Sequence, residues 1–400
     1  MNFNLQKIAN PYTVFGLAWS LCLVMYSFGW AGIFPKITLQ LAVFLIVLIA
    51  LFIATGIFYN RIKPAAFKEP FILNYRLLLG INTAIWILSF LYSGIPLLSG
   101  LRNEDFGIPL IKNFATSFNN FLSIYCFYLF LTTRRKKFLL YSAYCLAFFI
   151  LVISRGNIMM SLATMFFLWI NLKSPVLNVK KLAAIATGIL LVFYLFGVAG
   201  NLRSINDLAS YNPKMDNSYN SDIIIKIGDA SDFFKNSFIP NEYFWSYVYI
   251  TSPLSNLQYN INNSSPPFTP KGVSLLVVNE IMLDAISKKI NTSLDLVPTS
   301  PSLIVETLTV STTLAGSYVD AGWFGMILFM AVLWILPIVY TLIIQDTPLA
   351  VIGISTMCTI YFFSIFDNML ALTGLTFQLV FPLIFLSKPQ KGSFSIAGNQ

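Results

Sequence analysis

Any chemistry in this sequence is done without histidine, because the chain has none. That excludes Ser-His-Asp and Cys-His nucleophile systems, His-ligated zinc, and membrane acyl transfer that depends on a catalytic His. Acid–base work falls to carboxylates, Tyr or Lys. Anions must be held by Arg, Lys, backbone amides or helix N-termini. Cys22, Cys126, Cys145 and Cys358 all lie inside apolar segments, so the polar parts carry no disulfide and no Cys metal-ligand spacing.

The charged residues that remain near apolar segments are few. Arg155, in Ser154-Arg155-Gly156, sits between two apolar segments, where an Arg is either a snorkelling helix-end residue or an anion ligand. Arg203 follows another apolar segment directly and faces either lipid phosphate or a substrate pyrophosphate. Arg102 belongs to a Gly- and Pro-punctuated turn, Gly94–Gly107, beside Glu104 and Asp105, so a local ion pair competes with an anion-binding role. Asp320 lies in Gly316–Gly325, at the start of a long apolar stretch. It is a candidate helix cap, a partner for an Arg, or a general base. Glu306 and Asp367 are isolated carboxylates near the same face.

These side chains are positioned by a chain that is 57% hydrophobic and 10% charged, with a mean hydropathy of +0.74. No soluble domain hides that much apolar surface, so the reading is a polytopic membrane protein. Apolar segments fall at roughly 11–31, 38–59, 74–93, 113–132, 138–153, 157–172, 182–200, 317–344, 349–366 and 370–387. The fifth and sixth are short enough to be one hairpin, but charge argues for two crossings. The first is too long for a cleavable signal and reads as a signal anchor. With alternating crossings, one side collects fourteen Lys and Arg in short loops and the other only four, Lys36, Arg102, Lys112 and Arg155. That asymmetry predicts ten spans with both ends inside. The net charge of +9 is explained by this orientation rather than by nucleic acid.

Residues 201–312 differ in kind. They divide the chain into a first block of about seven helices (1–200), an external domain (201–312), and a second block of about three helices with a short tail (313–400). The segment carries ten acids against seven bases. Within it, Glu242–Ile261 holds Tyr243, Trp245, Tyr247 and Tyr249, either an interfacial aromatic belt or a platform for stacking sugar rings. Gly272–Ile290 has apolar residues at helical spacing, with Glu280, Asp284 and Lys288 on the opposite face. Short amphipathic helices lying at the membrane interface are expected from both stretches.

The layout resembles the bacterial O-antigen polymerase family, the integral-membrane polymerases of oligosaccharide repeat units. The stretches that carry the likeness are Asn10-Pro11-Tyr12, Gly94–Gly107, Ser154-Arg155-Gly156, Tyr247–Leu257, and Thr307–Gly325 running into a D-x-G-x-x-G-like helix start. The resemblance implies an all-α bundle of about ten transmembrane helices in a bacterial inner membrane, with cytoplasmic termini and one large helical periplasmic loop. It implies glycosyl transfer of a growing glycan from undecaprenyl pyrophosphate to a sugar hydroxyl of another lipid-linked repeat. Cofactor and metal are not required, membrane lipid surrounds the protein, and a chain-length regulator is an expected partner. On this reading Arg155, Arg203 and Arg102 bind pyrophosphate, Asp320 or Glu306 is the base, and Tyr243, Trp245, Tyr247 and Tyr249 contact sugar. Related O-antigen ligases usually depend on a loop His, which is missing here. A lipid-linked oligosaccharide flippase is disfavoured by the nearly charge-free spans and by the lack of a repeat.

Overall fold

A computed structural model of the chain describes residues 3–64, 70–99, 106–211 and 220–384. Apart from a two-residue antiparallel pair, Phe3–Asn4 with Val176–Leu177, the described residues are helical or irregular. The first block contains α1 (Pro11–Ser27), α2 (Leu39–Tyr59), α3 (Tyr75–Ser93), α4 (Pro109–Thr133), α5 (Lys136–Leu151), α6 (Arg155–Lys173) and α7 (Val179–Tyr211). The polar segment contributes α8 (Tyr243–Asn263) and α9 (Asp284–Leu294). The second block contains α10 (Thr313–Ile344) and α11 (Ala350–Phe363), followed by a short helical run, Thr373–Ile384.

Among the described residues, five helices are long and apolar enough to cross a membrane: Leu39–Tyr59, Tyr75–Leu98, Ile111–Thr133, Val179–Ile205 and Thr313–Ile344. That is the make-up of a multi-pass membrane protein. Among the described residues each of the ten apolar segments is largely helical, but α1, α5, α11 and the run Thr373–Ile384 are shorter than a crossing helix. The last is a continuous helical run with a 3-10 stretch at Phe377–Val380.

Local sequence explains how the helices begin and meet. Asn10 caps α1 by accepting the Thr13 N–H at 2.9 Å, with Pro11 preset in the first turn. The same side chain donates to the Gly56 carbonyl of α2 at 3.4 Å. Tyr12 is buried and its hydroxyl donates to the Trp334 carbonyl of α10. Asn10-Pro11-Tyr12 therefore ties three helices together. The polar interior of α4 does the same elsewhere: Asn82 donates to Asn119 Oδ1 at 2.8 Å, and Asn119 donates to the Cys145 carbonyl at 2.9 Å. Such interhelical bonds average about 0.6 kcal/mol in membrane bundles, so they specify packing more than they stabilise it. All four cysteines are buried and free.

The aromatic stretch forms a helix as expected, but α8 does not lie as an amphipathic surface helix. Most of it is buried, with Ile250, Leu254 and Leu257 in the main core beside α1. Its polar residues turn inward because they have work to do there: Gln258 Oε1 accepts the Thr38 N–H at 2.8 Å. The stretch 272–290 is not one helix either. Residues Pro270–Leu275 are α-helical, Leu276–Ile281 widen into a π-helix, and α9 starts afresh at Asp284.

Candidate functional site

The polar segment closes over a cavity of about 470 Å³ where it meets the ends of α10 and α11. The lining includes Asn279, Glu280 and Asp284 from below, Ser300, Pro301, Leu303, Thr309, Ser311 and Thr312 from the irregular run before α10, and Asp367, Asn368, Met369 and Leu372 from the run after α11. Among the described residues no Lys or Arg lines it. Among the described residues no three acids or cysteines converge closely enough to hold a metal ion.

Two buried asparagines of α8 build the roof. Asn256 donates to the Leu308 and Val310 carbonyls at 2.8 and 2.7 Å and accepts the Ile304 N–H at 3.0 Å. Asn260 donates to the Ser302 carbonyl at 2.8 Å and accepts the Ser302 N–H at 2.9 Å. An extended run without sheet partners needs such substitutes for its backbone hydrogen bonds. The opposite wall is organised by Asn368. Its Nδ2 donates at 2.8 Å to both the Glu280 carbonyl and Glu280 Oε2, and its Oδ1 accepts the Leu370 N–H at 3.1 Å. Asp284 accepts the Thr373 N–H at 3.1 Å and the Thr373 hydroxyl. Thr373 is itself held to α4, where Ser117 donates to its carbonyl at 3.0 Å.

Glu280 is the electrostatic centre of this arrangement. Burial pushes its carboxyl from the ordinary 4.5 up to about 8. The Asn368 hydrogen bond opposes that rise, while the charges of Asp320 and Asp367 add to it. Burial likewise raises Asp367. Gly316 makes room for Glu280, since a Cβ there would stand 2.0 Å from Glu280 Oε1. A carboxyl raised to about 8 is, when ionised, a stronger base toward a sugar hydroxyl than an ordinary carboxylate.

The site residues anticipated from sequence are placed as follows. Asp320 is buried on the α10 turn beyond Gly316, within electrostatic reach of Glu280, and its Oδ1 has no hydrogen-bond partner among the described residues. It does not begin the helix, whose N-cap position is Thr312. Instead it precedes a break at Ala321 and Gly322, where Gly322 takes a φ of +61°. Glu306 is exposed on the roof run and does not line the cavity. Arg155 is exposed at the start of α6. Two residues on, Asn157 Oδ1 accepts from Asn120, and a Cβ at Gly374 would lie 3.6 Å from that oxygen. Through Asn157 the start of α6 meets the turn that holds Asp284, and the exposed Arg155 does not line the cavity. Arg203 lies on the exposed outer end of α7, away from the cavity lining. Arg102 lies outside the described residues.

The four aromatics of α8 do not share one face. The Tyr243 ring is 5.9 Å from Tyr194 of α7, and Trp245 Nε1 donates to Asn201 Oδ1 at 2.7 Å. Tyr247 is buried and accepts the Trp30 N–H at 3.1 Å. Tyr249 packs 5.4 Å from both Phe196 and Phe366, and so comes nearest the cavity through the residue before Asp367. Sequence reasoning placed Glu280 and Asp284 on the polar face of an amphipathic helix and Asp367 as an isolated carboxylate, and it missed Asn256, Asn260, Asn368 and Thr312. Compared with protein-family models, curated proteins and solved structures, the chain matches none.

Proposed function

We propose that this protein is a surface-polysaccharide polymerase of the O-antigen type, joining polyprenyl-diphosphate-linked oligosaccharide repeats by glycosyl transfer. In this reading ten segments traverse a bacterial inner membrane, both termini are cytoplasmic, and residues 201–312 are periplasmic. The observation that carries it is Glu280: a carboxyl that burial raises from 4.5 to about 8, fixed by Asn368, in a cavity at the junction of the polar segment and the apolar helices. The acceptor hydroxyl enters this cavity and attacks the donor's anomeric carbon. The bond from that carbon to the diphosphate oxygen breaks, and the hydroxyl proton passes to ionised Glu280. Asp320, beside Glu280, keeps negative charge close and favours the protonated product of that step. A general base of this kind contributes about 10²–10⁴-fold.

The diphosphate does not belong inside a lining without cations. Arg155, exposed at the start of α6, is the residue assigned to it, since a bidentate Arg–phosphate contact stabilises the leaving group. Arg203 serves lipid-borne phosphate at the surface of α7, and Arg102 keeps the same assignment as a third anion ligand. Glu306 is the less favoured base, because it stands outside the lining.

Deleting the gene in its host and resolving surface polysaccharide on a gel tests this reading. The expected result is lipid core capped by one repeat with no ladder, which Glu280→Gln and Arg155→Ala fail to rescue. A null strain that loses even the single repeat would instead place the protein at export or ligation, and an unchanged ladder would remove it from the pathway.

A further inference from the structure

A second cavity, of about 420 Å³, opens between α1 and α2 and shares no lining residue with the Glu280 site. We infer that it holds one chain of an anionic phospholipid, with the lipid's phosphate at Lys36. Its walls are Leu23 of α1, Phe34 and Ile37 of the connecting run, and Ala42 and Ile46 of α2. Ile46 is 56% exposed and shares a face of α2 with the exposed Leu39 and Val43, so in a multi-pass membrane protein the cleft opens sideways to lipid. The hydroxyls inside it are already engaged. Tyr26 donates to the Pro35 carbonyl at 2.5 Å, Ser27 donates to the Val24 carbonyl at 2.6 Å, and Tyr247 accepts the Trp30 N–H at 3.1 Å. The interior thus has little to offer a sugar and suits an alkyl chain. The rim has one sign of charge. Lys36 is exposed there, and among the described residues no Asp or Glu joins it in the lining. The start of α2, three residues on and with no acid in its first turn, adds to the same sign. Apolar walls ending at a lone ammonium match an amphiphile with an anionic head. A free phosphate would leave the walls bare, and a zwitterionic lipid would set its own cation beside Lys36.

The test is native mass spectrometry of the full chain in detergent, titrated with phosphatidylglycerol or with phosphatidylcholine of identical chains. The first phosphatidylglycerol should bind about fivefold more tightly than the first phosphatidylcholine, the preference that one lysine near an anionic headgroup supplies. Lys36→Gln should remove that preference and leave the binding of phosphatidylcholine unchanged. Ala42→Phe, which fills the cleft, should weaken both lipids. If Ala42→Phe fails to fold, Lys36→Gln alone decides, because that side chain is exposed. Glycerol 3-phosphate, added as a competitor, should not displace the lipid. Equal affinity for the two lipids, a preference that survives Lys36→Gln, or displacement by glycerol 3-phosphate would each overturn the inference, the last by showing a free-anion site. So would displacement of phosphatidylglycerol by a lower concentration of a polyprenyl phosphate, which would give the cleft to a substrate lipid instead.

Discussion

The molecule buries two polar clusters at opposite ends of α6, and they are built on opposite plans. At the far end, Lys63 extends its Nζ to the Asn171 side chain at 2.6 Å and to the Ala9 and Gln6 carbonyls at 2.7 and 3.3 Å. An ammonium has three donors, and all three are used. Around it, Asn171 donates to Ser355 at 3.3 Å, and Asn60 donates to the Lys7 carbonyl at 2.7 Å. Burial pulls Lys63 from 10.5 down to about 8, yet the cluster is complete without a ligand. At the near end, Glu280 is displaced to about 8 from the other direction. There Thr312 Oγ1, Ser311 Oγ and Asn279 Nδ2, on residues that line the cavity, are buried with no partners among the described residues. A perturbed titratable group is thus no guide by itself. What separates a fastening from a site is whether the surrounding polar groups are already satisfied.

The sharpest way to break that distinction is to alter the titratable centre of each cluster. Glu280→Gln keeps the shape and an acceptor for Asn368 but removes the base. Polymer ladder formation is expected to fall by about 10²-fold or more with protein level maintained. Lys63→Met should do the reverse. It leaves the Asn171 and Ala9 acceptors unpaired and costs roughly 2–3 kcal/mol, while activity per folded molecule persists. The two are compared by thermal unfolding in detergent alongside the ladder. Loss of activity in Lys63→Met at unchanged stability would erase the contrast.

A pH series sharpens it further. Folded Glu280 keeps its proton up to about 8, whereas the unfolded chain releases it near 4.5. Between those values the folded state binds more protons, so this group's contribution is fully present below 4.5 and is lost as pH rises through about 8. Burial acts on Asp367 in the same direction. Wild-type thermal stability should therefore decline from pH 5 to 8, and Glu280→Gln should flatten part of that decline. A variant with an identical slope would show that Glu280 titrates normally.

The fastening end was more legible in the sequence than the site. Helices came through because runs such as 38–59 and 74–93 are uniformly apolar, and the structure has Leu39–Tyr59 and Tyr75–Ser93. The run 370–387 starts its helix only at Thr373, where Ser117 and Asn120 bond the Thr373 and Gly374 carbonyls at 3.0 and 3.2 Å, partners that hydropathy does not register. The cavity was hidden for a related reason. Glu280 and Asn368 are 88 positions apart, and an isolated Glu or Asn has no periodicity to betray a partner that distant. Asn256 and Asn260 read as ordinary polar residues of an amphipathic surface helix, although they bind the roof. The signal that was present, unweighted, is polar side chains in otherwise apolar or core-facing helices. In a membrane bundle those residues are costly unless they are paired.

The smallest effect on stability is also the most direct probe of the comparison. Thr312→Val swaps a buried hydroxyl with no partner among the described residues for a methyl of the same shape. Were Thr312 part of a satisfied cluster, the change would cost about 1 kcal/mol or more. Because its Oγ1 is unpaired, removing it should leave the unfolding temperature unchanged or slightly higher. The ladder should persist as well, because that oxygen is closed off from the cavity. A destabilised Thr312→Val with a normal ladder would mean that the hydroxyl serves the fold, and the near cluster would then be a fastening like that at Lys63.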